Sequence, residues 1–262
     1  MSMDIREYVQ TAKEAALVGG IVLKENFRKV KDESIEEKAE KDFVSYVDKT
    51  SEQRIREFIG SRFPGHRIVG EEEGGDPSGE FVWYIDPLDG TKNYIAGFPV
   101  FGVSIALVHE EEPIAGAVYL PAFNTLYWAG KGLGAFKDGM PIRVSSTSEP
   151  KYSVVAYGFP SRAKRELDTY WYIFKEVFDK VAAMRRPGAA AVDLCFVADG
   201  VFEGLMEFEL HPWDINAGIV ILKEAGGSYK VIEHSGKMDI IASNGKVQDF
   251  LEGIVFKHLR EA

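Results

Sequence analysis

Stretches of helical periodicity alternate with short apolar, strand-like runs from one end of the chain to the other. Residues 4–28 space apolar side chains at helical intervals, whereas "FVWYI" (81–85) is typical of a buried strand. The segment "FGVSIALVHEEEPIAGAVYLP" (101–121) predicts a hairpin that turns at its glutamates, and "PWDINAGIVILKEAGG" (212–227) predicts a helix with proline in its first turn. Such interleaving is typical of an α/β or α+β fold.

Two local patterns add detail near the most acidic part of the sequence. Thr50 and Gln53 fit a capping box at the start of a helix. In "WYIDPLDGT" (83–91) the apolar run stops before Asp86, so we expect the strand to end there. The two acids of this segment, Asp86 and Asp89, are then expected on an exposed loop tip.

The chain has 262 residues, which fits one large domain or two smaller ones that share a sheet-rich core. Polar and turn-forming residues concentrate in "SSTSEP" (145–150). We therefore expect a boundary there, between an N-terminal α/β half (residues 1–145) and a C-terminal α/β half (residues 146–262).

Charge and cysteine content narrow the possible partners and locations. The formal net charge is -10, from 31 Lys and Arg against 41 Asp and Glu, which disfavours direct nucleic-acid binding because phosphate backbones attract clustered cations. The single cysteine, Cys195, excludes an intramolecular disulfide and predicts a reducing, cytoplasmic location. No apolar run approaches the ~20 residues that a membrane span needs, so we expect no membrane-embedded segment.

Acidic side chains recur where predicted strands end and where a predicted helix begins. "EEE" (71–73) follows one short strand, Asp86 and Asp89 follow the next, and Asp214 lies in the first turn of a helix. Carboxylates brought together repel one another unless a proton or a cation neutralises them. Oxygen ligands favour Mg²⁺, Mn²⁺ or Ca²⁺ over zinc, since the chain has neither a cysteine pair nor a histidine pair at ligand spacing.

The residues after Asp89 add a different kind of binding group. Gly90 and Thr91 begin a predicted helix, where exposed backbone N–H groups attract anions. Cations beside N–H donors are the surroundings that a phosphate ester needs. From these residues alone, a solvated acidic loop and a helix acid favoured by the helix dipole remain open alternatives to a metal site.

Four motifs resemble those of a known enzyme family. "GEE" (70–72), "DPLDGTKNYIAGFP" (86–99), "PGAAAVDLCFVADG" (187–200) and "HPWDINAGIVILKEAGG" (211–227) occur in this order. Together they resemble the magnesium-dependent, lithium-sensitive inositol monophosphatase family along nearly the full chain. The resemblance implies the layered αβαβα fold of sugar phosphatases, a homodimer, and roughly two or three Mg²⁺ ions per site that Mn²⁺ can replace. It also implies hydrolysis of a small phosphate monoester by a water molecule that the metal activates.

The resemblance implies roles for the acids. Four carboxylates and one backbone carbonyl form the expected metal ligands: Glu71, Asp86, Leu88, Asp89 and Asp214. Asp86 would bridge two ions, and Leu88 would contribute its carbonyl oxygen. Most of these ligands lie in the N-terminal half, whereas Asp214 lies in the C-terminal half together with the substrate pocket.

The residues of the phosphate site are implied in the same way. The backbone N–H groups of Gly90 and Thr91 are expected to bind the phosphate, and Asp48 is expected to hydrogen-bond the Thr91 hydroxyl. Thr91, Asp48 and Glu71 are the expected catalytic residues, which would orient the attacking water or accept its proton.

The substrate pocket is the third set of implied residues. Gly188, Ala190 and Glu207 match positions that line the sugar or inositol pocket. Ala189 occupies a position where family members often carry Thr or Ser, which removes a hydroxyl that they offer there. Arg186 immediately precedes this segment and is a candidate substrate-binding cation.

Several substrates and two non-enzymatic roles remain open. Inositol 1-phosphate is the leading substrate because "NYIAGFP" and "HPWD" resemble the inositol monophosphatase branch, and fructose 1,6-bisphosphate is the alternative. A second phosphate needs a cation, for which there are two clusters: Arg185 with Arg186, and Arg162 with Lys164 and Arg165. Adenosine 3′,5′-bisphosphate and histidinol phosphate are further family options. A regulatory protein-binding module, as in some bacterial relatives, and a metal-buffering protein are the non-enzymatic alternatives.

Overall fold

A computed structural model of the chain describes residues 4–29, 35–39, 42–159, 167–234 and 236–261. Within these ranges the helices are α1 (Ile5–Asn26), α2 (Tyr46–Arg62), α3 (Thr91–Ile95), α4 (Leu167–Phe178), α5 (Ala190–Ala198), α6 (Pro212–Glu224) and α7 (Gln248–Glu261). The strands are β1 (Ile35–Ala39), β2 (Asp42–Ser45), β3 (Arg67–Gly70), β4 (Phe81–Asp89), β5 (Gly102–His109), β6 (Glu112–Leu120), β7 (Thr125–Gly130), β8 (Gly134–Lys137), β9 (Met140–Pro141), β10 (Val154–Gly158), β11 (Ala183–Arg185), β12 (Gly204–Leu210), β13 (Ser228–His234) and β14 (Lys237–Ser243). The alternation confirms the predicted α/β (α+β) class. None of these described helices combines the length and the apolarity that crossing a lipid bilayer requires.

The first large sheet comes from the part of the chain between β3 and β9. Among the described residues it has seven strands in the order β3-β4-β5-β6-β7-β8-β9, antiparallel except for the parallel pair β3–β4. The predicted hairpin is confirmed as β5–β6, and its turn residues Glu110 and Glu111 have left-handed φ values of 49° and 67°. Such a turn matches the twist of the strands that it joins.

The second large sheet comes from the C-terminal part of the chain. As far as the structure describes the chain, it has five strands in the order β11-β10-β12-β14-β13. Strand β10 pairs in parallel with β11 and β12, whereas β14 pairs antiparallel with β12 and β13. Parallel neighbours need a long crossover connection, and α4 and α5 provide the two that this sheet requires.

Helices cover both sheets and also separate them. Helices α1 and α2 pack on one face of the seven-stranded sheet, and α6 packs on the opposite face. Helix α5 lies against α6 and contacts the second sheet, whose far face carries α4 and α7. The order is therefore helices, sheet, helices, sheet, helices, which confirms the layered αβαβα fold.

Alternation of side chains along the strands divides the core into three apolar layers. In β5, Leu107 packs toward α1 and α2 while its neighbour Ala106 packs toward α5 and α6. In β12, Leu205 faces the central helices and Met206 faces α4 and α7. Because α5 and α6 are covered by sheets on both sides, their sequences are apolar around most of the helix circumference.

Small residues let the central helices approach their neighbours closely. A Cβ atom added at Gly116 of β6 would lie 2.9 Å from both Cα and O of Ala217 in α6. A Cβ atom added at Gly218 of α6 would lie 2.5 Å from the Leu194 side chain in α5. The central layer is therefore packed without space for one more methyl group at either contact.

The start of α2 differs from the prediction. The helix begins at Tyr46, and its N-cap Ser45 forms a capping box with Asp48. The predicted box of Thr50 and Gln53 is wrong, because both residues lie inside the helix and Thr50 Oγ1 donates to the Tyr46 carbonyl at 2.7 Å. Both pairs fit the sequence pattern, but only Ser45 stands where β2 ends and the chain changes direction.

The end of β4 also differs from the prediction. The strand continues past Ile85 to Asp89, and its ladder with β5 is irregular between Asp86 and Asp89. This irregularity accommodates Pro87, which has no N–H group to donate to a regular ladder. Asp86 is 2% exposed and Asp89 is 7% exposed, so the expected exposed loop tip is wrong and both carboxylates are buried.

The division of the chain at residues 145–150 stays a prediction. The two large sheets do fall on either side of this segment, since β9 precedes it and β10 follows it. However, α5 and α6 belong to the C-terminal part and pack against strands of both sheets, so the two parts share the central apolar layer.

Replacing Gly116 with alanine is expected to lower the free energy of unfolding by about 1–3 kcal/mol, because the new methyl group meets the α6 backbone rather than a movable side chain. Gly60 in α2 is the matched control, since a Cβ atom there meets nothing within 4 Å. Gly60→Ala is expected to raise the same quantity by roughly 0.5–1 kcal/mol through helix propensity. Urea unfolding followed by circular dichroism measures both, and equal effects would contradict the close contact between β6 and α6.

Candidate active site

The turn after β3 brings Glu71 to the strand that carries both aspartates. The backbone N–H of Glu71 donates to the Ile85 carbonyl at 3.1 Å, directly before Asp86. Asp89 ends the same strand. Three of the predicted metal-binding acids therefore come from two neighbouring segments of the seven-stranded sheet.

Asp214 reaches the same place from the C-terminal part of the chain. It lies in the first turn of α6, where the backbone N–H of His211 donates to its Oδ2 atom at 2.7 Å. Ser104 of β5 is the ladder partner of Asp86, and its hydroxyl donates to the Trp213 carbonyl at 3.2 Å. One hydrogen bond thus ties the start of α6 to the residue opposite Asp86.

Asp86 lies within electrostatic range of three other carboxylates. Burial raises the pKa of Asp86 well above its ordinary value, and three neighbouring acids raise it further: Glu71, Asp89 and Asp214. The backbone N–H of Leu88, 2.9 Å from Asp86 Oδ1, acts in the opposite direction. A buried acid in the field of three others favours its neutral form unless a cation compensates.

Asp89 is held by the N-terminus of α5. Its Oδ2 atom accepts hydrogen bonds from the backbone N–H groups of Ala191 and Val192 at 2.9 and 3.2 Å. Burial and then the charge of Glu207 raise the pKa of Asp89 to about 7, although these N–H groups act in the opposite direction. Asp89 therefore anchors the predicted pocket helix.

Asp48 and Thr91 lie within hydrogen-bonding distance of each other. Thr91 Oγ1 lies 3.3 Å from Asp48 Oδ1 and 3.1 Å from the Leu88 carbonyl oxygen, so its single hydroxyl proton has two acceptors. Asp48 Oδ2 accepts the backbone N–H and the hydroxyl of Ser45 at 3.0 and 2.7 Å. The cap of α2 thus turns the other oxygen of Asp48 toward Thr91.

Gly90 connects Asp89 to α3 in a conformation that favours glycine. Its φ is 86° and its ψ is 39°, in the left-handed region. A Cβ atom there would lie 3.1 Å from the Val100 carbonyl oxygen and 3.2 Å from Cβ of Ala189. The turn therefore brings the expected phosphate-binding backbone next to the segment that precedes α5.

The segment that precedes α5 is hydrogen-bonded to α3 and carries two predicted pocket residues. Asn93 Nδ2 donates to the Pro187 carbonyl at 2.8 Å. Gly188 is exposed with a φ of 85°, and Ala190 is the buried first residue of α5. The structure thus places Gly188 and Ala190 beside the turn that contains Gly90.

Two further acids extend the carboxylate cluster toward this segment. Glu207 lies on β12, where burial and the charge of Asp214 raise its pKa to about 7 against the opposing charge of Arg186. Burial and the charges of Glu207 and Asp89 raise the pKa of Asp193 well above its ordinary value. Neither Glu207 Oε2 nor Asp193 Oδ1, both buried, has a hydrogen-bond partner among the residues that the structure describes.

Sequence reasoning missed Asp193. The available signal was an acid within "AAAVDLC", since an aspartate is rarely buried in an apolar helix unless it has a partner or a function. Hydrogen bonds from the backbone N–H groups of Gly188 and Ala189 act to lower the pKa of Asp193. The carboxylate therefore holds the pocket segment against the start of α5.

Arg186 lies at the rim of the cluster rather than inside it. Its side chain is exposed, its guanidinium carbon lies 4.2 Å from the centre of the Phe159 ring, and Nη2 donates to the Phe159 carbonyl at 2.6 Å. Its charge nevertheless lowers the pKa of Glu207. The other candidate cluster, Arg162 with Lys164 and Arg165, lies outside the described residues.

The donor set fits a hard divalent cation. Carboxylates whose pKa values are raised by burial and by neighbouring negative charge, as at Asp86 and Asp89, are groups that a bound cation would stabilise. Within the described ranges, no group of three or more His, Cys, Asp or Glu side chains is arranged closely enough to hold a metal ion. Asp86 nevertheless lies within electrostatic range of Glu71, Asp89 and Asp214, whose charges raise its pKa.

Comparisons with known proteins point to one family. Residues 4–260 match the model of the inositol monophosphatase family. A relative from Aquifex aeolicus (strain VF5), named fructose-1,6-bisphosphatase/inositol-1-monophosphatase, is 59% identical over 261 residues, which cover 99% of each chain. A relative from Neisseria meningitidis, named a putative Nus factor SuhB, is 41% identical over 230 residues, which cover 85% of this chain and 87% of the relative. The solved structure of an inositol monophosphatase from Anabaena (Nostoc) sp. PCC 7120 has a TM-score of 0.87 and 34% identity, with 97% of both chains covered.

The acid cluster predicts how the stability of chelator-treated protein depends on pH. The folded-state pKa of Asp89, about 7, lies above its ordinary value of 3.8, so its contribution to stability is complete below that ordinary value and is lost as the pH rises through about 7. We expect the melting temperature to fall between about pH 4 and about pH 7, and a saturating divalent cation to restore it at the higher pH.

Asp89→Asn is expected to flatten this pH dependence, because the side-chain oxygen of asparagine can still accept both α5 N–H groups but cannot ionise. Asp76→Asn is the matched control, since Asp76 is exposed and should leave the slope unchanged. Differential scanning fluorimetry across this pH range measures the slopes, and identical slopes for wild type and Asp89→Asn would contradict the assignment.

Proposed function

The chain belongs to the inositol monophosphatase family and is a phosphatase, and from this premise we propose that it hydrolyses inositol 1-phosphate to inositol and phosphate. The observation that carries the proposal is the coupling of Asp86 to acids from two other segments, beside the Thr91–Asp48 pair. Converging carboxylates support cation binding, and an adjacent hydroxyl with backbone N–H groups supports binding of a phosphate monoester.

The proposed metal is Mg²⁺, roughly two or three ions per site, with Mn²⁺ as a substitute. The residues that would hold it are Glu71, Asp86, Asp89 and Asp214, together with the backbone carbonyl of Leu88. This carbonyl oxygen has two lone pairs, so it could ligate a cation whether the Thr91 hydroxyl donates to it or to Asp48. When bound, the ions would offset negative charge on the phosphoryl group and lower the pKa of a water molecule.

The chain's own residues would orient the attacking water and the phosphate. When the Thr91 hydroxyl donates to Asp48, its oxygen lone pairs are available to accept a hydrogen bond from the water. Ser45 keeps Asp48 in the orientation that receives the Thr91 proton. Glu71 would share in accepting the water proton, and the backbone N–H groups of Gly90 and Thr91 would bind phosphate oxygens.

The pocket residues would recognise the alcohol part of the substrate. Glu207 is half-buried on β12, and its carboxylate could accept a hydrogen bond from a substrate hydroxyl. Gly188 and Ala190 would shape the wall next to it. Ala189, which is 1% exposed, offers no hydroxyl, so polar recognition in this wall depends on backbone groups and on Glu207.

Hydrolysis of fructose 1,6-bisphosphate is the second candidate function. The relative from Aquifex aeolicus carries both activities in its name and is 59% identical. In this chain, Arg186 is an exposed cation within electrostatic range of Glu207, where it could bind a second phosphate. Adenosine 3′,5′-bisphosphate and histidinol phosphate are weaker candidates, because no described feature favours them.

A regulatory role through a protein partner is a separate candidate. It is favoured by the relative from Neisseria meningitidis that is named a putative Nus factor. Such a role would persist in a variant that has lost phosphatase activity. Homodimer formation, inhibition by Li⁺, a cytoplasmic location and the lack of direct nucleic-acid contact also stay predictions.

Phosphate release from the four candidate esters, with Mg²⁺ or a chelator and with or without Li⁺, tests the proposal. Asp86→Asn is expected to lower kcat/KM on every ester by at least about 100-fold. Mutation of residues that only hydrogen-bond a metal ligand typically lowers metal affinity or activity about 10–100-fold, and Asp86 would be a ligand itself. Asp76→Asn removes an exposed acid and should retain wild-type activity. Near-normal turnover by Asp86→Asn would place the active site elsewhere.

Arg186→Ala is expected to distinguish the two leading substrates. Because Arg186 would contact only a second phosphate, we expect kcat/KM for fructose 1,6-bisphosphate to fall about tenfold or more and that for inositol 1-phosphate to change little. Arg185→Ala is the matched control, since Arg185 is exposed and donates to the Met184 carbonyl. Equal losses on both substrates would remove the argument for a second phosphate site.

A further inference from the structure

A buried glutamate outside the carboxylate cluster holds the turn that carries Glu71. Glu52 lies on α2 and is 0% exposed. Its Oε2 atom accepts the backbone N–H of Glu72 at 2.7 Å, and its Oε1 atom accepts the backbone N–H of Glu73 at 3.0 Å. Both donors immediately follow Glu71, so the two hydrogen bonds restrain its backbone from the C-terminal side.

Arg56, one helical turn further along α2, completes the restraint. Its Nε atom donates to Glu52 Oε1 at 2.8 Å, which offsets the charge of the buried carboxylate. Its other guanidinium nitrogens donate to the carbonyls of Ile68 and Gly74, at the two sides of the turn. Because one end of the turn pairs with the other through Gly70 and Gly74, the whole 70–74 turn is clamped to α2.

The glycine before Glu71 is explained by the same contact. A Cβ atom at Gly70 would lie 2.2 Å from Glu52 Oε1 and 2.6 Å from Oε2. The φ of Gly70 is not among the positive values of this chain, so glycine is needed here for space rather than for backbone conformation. Gly70 and Glu52 are therefore one structural unit.

We propose that Glu52, supported by Arg56, is a positioning residue that fixes the 70–74 turn so that the Glu71 carboxylate faces Asp86. This inference rests on the proposed function, in which Glu71 is a metal ligand. Glu52 itself touches neither ion nor substrate. Glu52 would reduce the reorganisation that metal binding requires, because a turn that is already held in place loses less conformational freedom when the ion binds.

Glu52→Gln tests the proposal in the full-length chain. Glutamine has one acceptor oxygen and places an NH₂ group against a backbone N–H donor, so we expect at least one of the two turn hydrogen bonds to be lost. Calorimetric titration with Mn²⁺ is expected to show affinity about 10–100-fold lower than wild type. Amide hydrogen exchange is expected to be faster at Glu72 and Glu73. The loss of activity in Glu52→Gln relative to wild type should be smaller at saturating Mg²⁺ than at low Mg²⁺.

Glu57→Gln is the matched control on the same helix. Glu57 is exposed and accepts a hydrogen bond from Gln53, so it should leave Mn²⁺ affinity and turn exchange unchanged. Gly70→Ala is expected to reproduce the Glu52→Gln effects, because the added methyl group displaces the Glu52 carboxylate. The double variant should be no worse than either single variant, since both break one unit.

The outcomes separate this inference from the proposed function. A folded Glu52→Gln protein with Mn²⁺ affinity and turn exchange like those of wild type would overturn the positioning role. Wild-type protein that binds Mn²⁺ but releases no phosphate from any ester would overturn the proposed function alone.

If Glu52→Gln does not fold, Arg56→Gln replaces it, because Arg56 is partly exposed and its loss leaves both amide contacts of Glu52 possible. A smaller shift in the same direction would then support the proposal, and no shift would overturn it.

Discussion

Repulsion between clustered carboxylates, of which Asp86 and Asp89 are buried, is the constraint on which the arrangement of this site depends. Asp86 is almost completely buried and lies in the field of three other acids, which together with burial raise its pKa. Placing ionised groups of one sign in a region of low dielectric destabilises the folded state unless charge is added from outside. The layered core therefore has to hold these side chains against their mutual repulsion, and a divalent cation is the ligand that such a cluster suits best.

Backbone N–H groups are the means by which the fold holds the acids in place. Each of five carboxylates accepts at least one main-chain hydrogen bond: Asp48 from the cap of α2, Glu52 from the 70–74 turn, Asp86 from Leu88, Asp89 from the start of α5, and Asp214 from His211. Main-chain donors stabilise the ionised form without adding a formal positive charge. These main-chain contacts therefore define the orientation of the carboxylates, and at Glu52 the Arg56 guanidinium adds a positive charge as well.

In the proposed function, selectivity among substrates depends on a different part of the site. The acids proposed to bind metal and the Thr91 turn would act on any phosphate monoester, whereas Glu207, the Gly188 segment and Arg186 would contact the alcohol part. Asp193 links the two regions, since it supports the Gly188 segment and is coupled to Asp89. Substitutions that change substrate specificity in this architecture are therefore expected at the rim, where residues are exposed and contribute less to the stability of the fold.

The sequence by itself determined the fold class, the family motifs and the acid-rich segments, because periodicity and local motifs depend on neighbours along the chain. The prediction from sequence placed the start of α2 wrongly, since two capping patterns were locally equivalent. It also placed Asp86 and Asp89 on an exposed loop. Only the tertiary structure decided their burial, the ladder of β4 with β5, and the roles of Asp193 and Glu52 as supports. These features depend on contacts between segments far apart in sequence, whose hydrogen bonds and electrostatic fields exist only once the layers have packed.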